Sequence, residues 1–140
     1  MKHQQLNRVF DLLNAYQEQE IPILFNKKRN GSWEGYSSSE FIQAVHKLAM
    51  GYLSIGIQPG DKIALISSNR NEWNIIDFAT QILGAVLVPI YPTITIEDYA
   101  FIFRDSGVKL IFAENEELYL KAKEAIQENR AVQDIYTFES

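Results

Sequence analysis

The chain has 140 residues, 46% of them hydrophobic and 12% aromatic, with a formal net charge of −5. That is enough apolar material for one globular domain with a true core. No run approaches the roughly 18 apolar residues of a membrane span, and the amino end "MKHQQLNRVFDLLNAYQEQE" lacks the apolar stretch of a secretory signal. A cytoplasmic setting is therefore expected. Residues 1 to 96 carry eight acids and eight bases, whereas residues 97 to 140 carry ten acids and five bases. An acidic excess of this kind excludes a basic nucleic-acid surface and reads as a solvated helix face. With no cysteine there is no disulfide framework and no thiolate metal site, and the isolated His3 and His46 form no metal-ligand set. His46, between Val45 and Lys47 in a helical pattern, reads as a solvated or packed histidine rather than a catalytic one.

In chain order, "QLNRVFDLLNAYQEQ" places Leu6, Val9, Phe10, Leu13 and Tyr16 at helical spacing and predicts a helix over roughly 5 to 18. "IPILF" and "SWEGY" flank Asn30-Gly31, a dipeptide that tolerates the positive φ angles of a tight turn, and predict a hairpin. Asn30-Gly31-Ser32 also matches a glycosylation sequon, which is idle without a secretory signal. In "YSSSEF", Ser37 and Glu40 have capping-box spacing and Tyr36 and Phe41 that of a hydrophobic staple. The helix they open continues through Val45, Leu48, Ala49 and Tyr52 and stops at Gly56.

A pattern then recurs. "GDKIALIS", "GAVLVPIY" and "GVKLIFAE" each set a glycine before a short aliphatic strand, with "NEWNIIDFATQIL" and "IEDYAFIFRDS" as helices between them. The second helix opens with another capping box, Thr95 to Asp98, stapled by Ile94 and Tyr99. A last helix, "EELYLKAKEAIQ", leads to "QDIYTF". The intervals suit crossovers, and the continuous aliphatic runs suit strands covered on both faces. The expected fold is α/β: a mainly parallel sheet of strands near 62–67, 86–90, 109–113 and 133–138, with helices on both faces. A helix and a β-hairpin precede it, so that lead-in elements fill about 1–58 and βαβ units about 60–140.

In open α/β sheets ligands collect beyond the carboxyl ends of the strands, which directs attention to "SSNRNEW", "YPTITIED" and "ENEE". None contains GxGxxG or GxxxxGK[ST], so the Rossmann and Walker solutions are absent. "SSNRNEW" has two readings. Its hydroxyls, amides and Arg70 suit an anion at a helix amino terminus; alternatively Asn69 or Asn71 caps the helix, Arg70 is solvated and Trp73 packs nearby. No Ser/His/Asp constellation can be assembled, because His46 lies in a helix well before these loops.

Residues 60 to 115 resemble a known family through "SSNRNEW", "QILGAVLVPIYPT" and "DSGVKLIF", in this order and spacing. They look like the amino-terminal region of the AMP-forming acyl-CoA synthetases, the adenylate-forming superfamily, and most of all like the long-chain fatty acid–CoA ligase branch. "YSSSEFIQAVHKLAMGYLSIGIQPGD" looks like the segment leading into them, so the resemblance covers about residues 20 to 140. It implies a parent that activates a fatty acid with ATP and magnesium to an acyl-adenylate and then transfers the acyl group to CoA. The phosphate loop ending in Pro-Lys-Gly, the Tyr-Gly-x-Thr-Glu segment, the ribose-binding aspartate motif and the catalytic lysine are all missing from this sequence. The expectation is an inactive amino-terminal fragment with no catalytic residue of its own. Peripheral membrane contact of the parent and self-association of the fragment through uncovered apolar surface go with that expectation.

In "GAVLVPIYPT" the strand looks buried on both faces, Pro89 lacks an amide hydrogen and suits a strand near its end, and Pro92 turns the chain out of the sheet. Tyr91, Pro92 and Thr93 are thereby left in the exit loop. The resemblance makes these three the candidates for a wall of the CoA channel; read without it, they are structural turn residues. The alternatives to the ligase are a free-standing α/β module for a small anion or nucleotide and an interaction domain.

Overall fold

A computed structural model describes residues 7–29, 31–127 and 129–138. A 3-10 turn, Val9–Asp11, leads into α1, Leu12–Glu18. The Asp11 carboxylate reaches back to accept the Asn7 and Arg8 amides at 3.1 and 2.9 Å, which satisfies donors that a helix start leaves open. The expected helix is thus present but begins as a tighter turn; Leu6, like His3, lies outside the described residues. The hairpin consists of β1, Phe25–Arg29, and β2, Ser32–Tyr36, paired antiparallel with Arg29 opposite Ser32. Gly31 takes a φ of 83° in its turn, while Asn30 lies outside the described residues.

The first hairpin strand differs from expectation. "IPILF" contributes only Phe25 to it, and the strand runs on through Asn26, Lys27 and Lys28. The reason is that Ile21 is already engaged with the next helix: its amide donates to Ser38 Oγ at 2.9 Å, and its carbonyl accepts the Ser38 amide at 2.9 Å. Phe25 faces inward, edge-on to Phe41 with centroids 5.2 Å apart.

Helix α2, Ser38–Ser54, opens with the expected capping box: Ser37 Oγ accepts the Glu40 amide and Glu40 accepts the Ser37 amide at 2.8 Å. It ends in a Schellman motif, in which Gly56 (φ 82°) and Ile57 donate to the Leu53 and Tyr52 carbonyls. Four parallel strands follow: β3 (Lys62–Ile66), β4 (Val86–Ile90), β5 (Val108–Ala113) and β6 (Asp134–Thr137). Helices α3 (Asn71–Ile82), α4 (Ile96–Ser106) and α5 (Glu116–Ala125) connect them.

The strand order is β4-β3-β5-β6. The chain first steps from β3 to β4 on one side, then crosses to β5 and β6 on the other. A constant crossover hand then requires α3 on one face and α4 with α5 on the opposite face. The packing agrees: Phe41, Val45, Ile76 and Ala79 meet Ile63, Leu65 and Leu110 on one face. On the other, Tyr99, Phe103, Leu118 and Ala122 meet Ala64, Ile66 and Ile111.

One sequence expectation fails in detail. β4 is not buried on both faces: Val86 is 48% exposed, Pro89 is exposed, and only Ile90 is buried. Among the described strands it is an edge strand with β3 as its one neighbour, which is also why a proline is tolerated opposite Leu65. The runs in β3 and β5, the two central strands, are buried as expected.

Candidate functional site

The carboxyl end of the sheet carries two features. The first is the exit loop of β4. The chain leaves the sheet after Ile90, and Tyr91 (80% exposed) and Thr93 point to solvent while Pro92 is half-buried. The loop ends at Thr95, whose hydroxyl accepts the Asp98 amide at 3.1 Å to start α4. From behind, the Tyr99 hydroxyl donates between the Tyr91 and Pro92 carbonyls, 3.3 and 3.0 Å away. Lys121 Nζ of α5 donates to the Pro92 and Ile94 carbonyls. Burial pushes the Tyr99 hydroxyl up to about 12, so it remains a donor across the physiological range. The backbone is thus pinned while two of the three candidate side chains face outward, a geometry that fits both a channel wall and a braced turn.

The second feature lies between β3 and β5, where the strand order reverses and open α/β sheets form their crevice. Here the loop after β3 meets the loop after β5. Glu114 accepts the Ser68 amide at 2.7 Å and hydroxyl at 2.8 Å on Oε2, and Arg70 Nη1 at 3.2 Å on Oε1. Arg70 also pairs with Glu72 at 3.2 Å, and Glu72 in turn accepts Lys27 Nζ of the hairpin at 2.7 Å. The Arg70 guanidinium lies 5.3 Å from the Phe138 ring centroid.

Burial alone would raise the Glu72 carboxyl, but hydrogen bonds from Arg70 and Lys27 override it and hold the group down at about 2. Glu114 is likewise opposed by burial yet lowered by Ser68 and Arg70. Both earlier readings of "SSNRNEW" therefore need correction, although Trp73 packs against the core as the second expects. Arg70 itself occupies the N-cap position with no side-chain cap bond, so neither Asn69 nor Asn71 caps α3. Nor is Arg70 solvated: its side chain is 13% exposed and braced by two carboxylates. The Ser68 amide and hydroxyl and one Arg70 nitrogen, the donors that best suit a free anion, are already held by the Glu114 carboxylate, whose negative charge disfavours a phosphate in this crevice. Sequence reasoning missed Glu72 and Glu114 as partners of Arg70; the only signal was the position of "ENEE" after its strand.

A family model described as AMP-binding enzyme matches residues 13–139. The chain belongs to this AMP-binding enzyme family. Among curated relatives, it is similar to the long-chain-fatty-acid–CoA ligase FadD15 of Mycobacterium bovis, 34% identical over 94 residues. The FadD15 of Mycobacterium tuberculosis is 33% identical over the same length. Each alignment covers 67% of this chain and 16% of the relative, so the chain spans about a sixth of the ligases it matches.

A solved Mycobacterium tuberculosis fatty acyl CoA synthetase superposes with a TM-score of 0.76 at 22% identity, covering 91% of this chain and 26% of that one. A luciferase-like enzyme from the Zophobas morio mealworm gives 0.76 at 20% identity, covering 94% and 29%. These likenesses establish the fold of the AMP-binding amino-terminal region: a parallel sheet flanked by helices and preceded by a hairpin. Among the described residues no helix is long and apolar enough to cross a membrane.

Proposed function

We propose that this chain is the opening part of an ATP-dependent long-chain fatty acid–CoA ligase, which adenylates a fatty acid carboxylate and then forms its CoA thioester. The observation that carries the reading is the family match over residues 13–139, joined to the 34% identity with FadD15. In this reading the 140 residues supply scaffold and one wall of the CoA passage, Tyr91 to Thr93, and no catalytic group. ATP, magnesium and the acyl chain are held by residues outside these 140. The absence of a Pro-Lys-Gly phosphate loop from the sequence supports that division. A cytoplasmic setting with peripheral membrane contact belongs to the same reading.

The test is to assay this chain beside the product of the complete reading frame that contains it. With palmitate, ATP, magnesium and CoA, the complete product forms AMP and palmitoyl-CoA and the 140-residue chain forms neither. Pyrophosphate release by the chain alone, abolished by a substitution within it, overturns the division of labour. Self-association of the isolated chain goes with this reading, since the β4 edge exposes Val86 and the loop that follows it exposes Tyr91. A strictly monomeric species at high concentration, with no binding of an apolar dye, contradicts it.

The alternative of a free-standing anion-binding module lacks support from the crevice, whose Ser68 amide and hydroxyl are taken by Glu114.

A further inference from the structure

The exit loop of β4 is held by two donors that belong to neither the loop nor its strand. Tyr99 lies on α4 and is fully buried; Lys121 lies on α5 and is half-buried. The Lys121 ammonium donates to the carbonyls of Pro92 and Ile94 and sits 4.9 Å from the Tyr99 ring centroid. The Tyr99 hydroxyl takes the Pro92 carbonyl at 3.0 Å, with that of Tyr91 at 3.3 Å. Three loop carbonyls, those of Tyr91, Pro92 and Ile94, are therefore held by side chains of the helix layer, while the Tyr91 and Thr93 side chains are exposed.

We propose that Lys121 and Tyr99 are positioning residues for the thioester-forming step: they lock the Tyr91–Ile94 backbone so that its outer side keeps one shape toward CoA. This rests on the reading of Tyr91 to Thr93 as a wall of the CoA passage. A lysine suits the task because its ammonium carries three donors, here spent on two carbonyls and a ring face. Without it, the partly buried carbonyls lose a charge-assisted partner and the loop gains alternative conformations. A loop that must be ordered again at each binding event weakens the ligand it contacts, while a step that does not use the loop is spared.

The test combines two readouts on Lys121→Met, with Lys123→Met as the control. Lys123 is exposed on the same helix, where it lies 5.8 Å over the Tyr119 ring. In the 140-residue chain, hydrogen exchange of the peptide spanning residues 91–95 accelerates several-fold in Lys121→Met while that of β3 does not change. In the complete enzyme, KM for CoA rises about 10-fold with KM for ATP held within about twofold, and Lys123→Met changes neither. Tyr99→Phe removes one hydroxyl from the same clasp and gives a smaller shift in the same direction, which keeps the test usable if Lys121→Met folds poorly.

Unchanged loop exchange overturns the clasp. Accelerated exchange with an unchanged KM for CoA overturns its link to the thioester step. The reading of the loop itself is tested separately by Thr93→Trp: selective loss of thioester formation there, with no effect of Lys121→Met on CoA, rejects the clasp and keeps the wall.

Discussion

Ser68 and Glu114, 46 residues apart in sequence, are joined by two hydrogen bonds: the Ser68 amide donates to Glu114 Oε2 at 2.7 Å and its hydroxyl donates at 2.8 Å. The contact ties the loop after β3 to the loop after β5 at the carboxyl end of the two central strands. It also completes a chain of charges, because the other oxygen of Glu114 accepts Arg70 at 3.2 Å. Glu114→Ala removes the acceptor for a backbone amide and a partner of a largely buried guanidinium. The expected cost is about 2 kcal/mol, against about 1 kcal/mol for Ser68→Ala, which loses only the hydroxyl. Urea denaturation of both variants checks the order; equal losses remove the charge from the explanation.

Glu72 contributes to the acid limb of stability, alongside Glu114, which is lowered in the same direction. Its folded value, about 2, lies below the ordinary 4.5 because Arg70 and Lys27 overcome the effect of burial. A depressed carboxyl contributes stability that is complete above its unfolded value and is lost as pH falls through the folded one. Stability therefore falls between about pH 4.5 and 2, and Glu72→Gln flattens that part of the curve while lowering the plateau at pH 7 by about 1–2 kcal/mol. Melting curves across this window read the result; an unchanged slope in Glu72→Gln contradicts it.

Local chemistry was legible because it is local. Ser37 with Glu40 and Thr95 with Asp98 are capping boxes in the sequence and in space, and Gly56 stops its helix with a left-handed φ that any β-carbon would resist. The glycine before each aliphatic run marked three of the four sheet strands, and the strands of the layer fall within a residue or so of where periodicity puts them.

What was not legible is set by long-range pairing. Strand order decides that β4 is an edge, so "VLVPI" reads as a doubly buried run yet exposes Val86 and Pro89. The fate of Arg70 depends on Glu114, 44 residues away, and the hairpin register on Ile21 being captured by Ser38. At the site, the prolines of "VPIYPT" foretold the exit of the chain from the sheet, but nothing in the sequence pointed to Lys121 behind it.

The capping boxes give an independent test of the helices. Thr95→Ala removes the acceptor of the Asp98 amide and also the hydroxyl that donates to Asp98 at 2.8 Å. A loss of about 1 kcal/mol is expected, with Thr95→Ser close to wild type. Because α4 begins where the exit loop ends, the hydrogen exchange of residues 91–95 rises with it. Thermal melts with peptide-level exchange read both, and a destabilised helix beside an unchanged loop breaks the coupling.

The proposal that Tyr91 to Thr93 wall the CoA passage of a two-step ligase is tested most directly at Thr93. Its side chain is exposed, so a larger group there is not forced into the core. The decisive measurement is the ratio of the two half-reactions in the complete enzyme carrying Thr93→Trp. If the loop walls the passage, pyrophosphate exchange, which reports adenylate formation, stays within about twofold of wild type while CoA-dependent thioester formation falls at least about 10-fold. Equal loss of both half-reactions, tracking a lower melting temperature, contradicts it and leaves Pro89 and Pro92 as architecture alone.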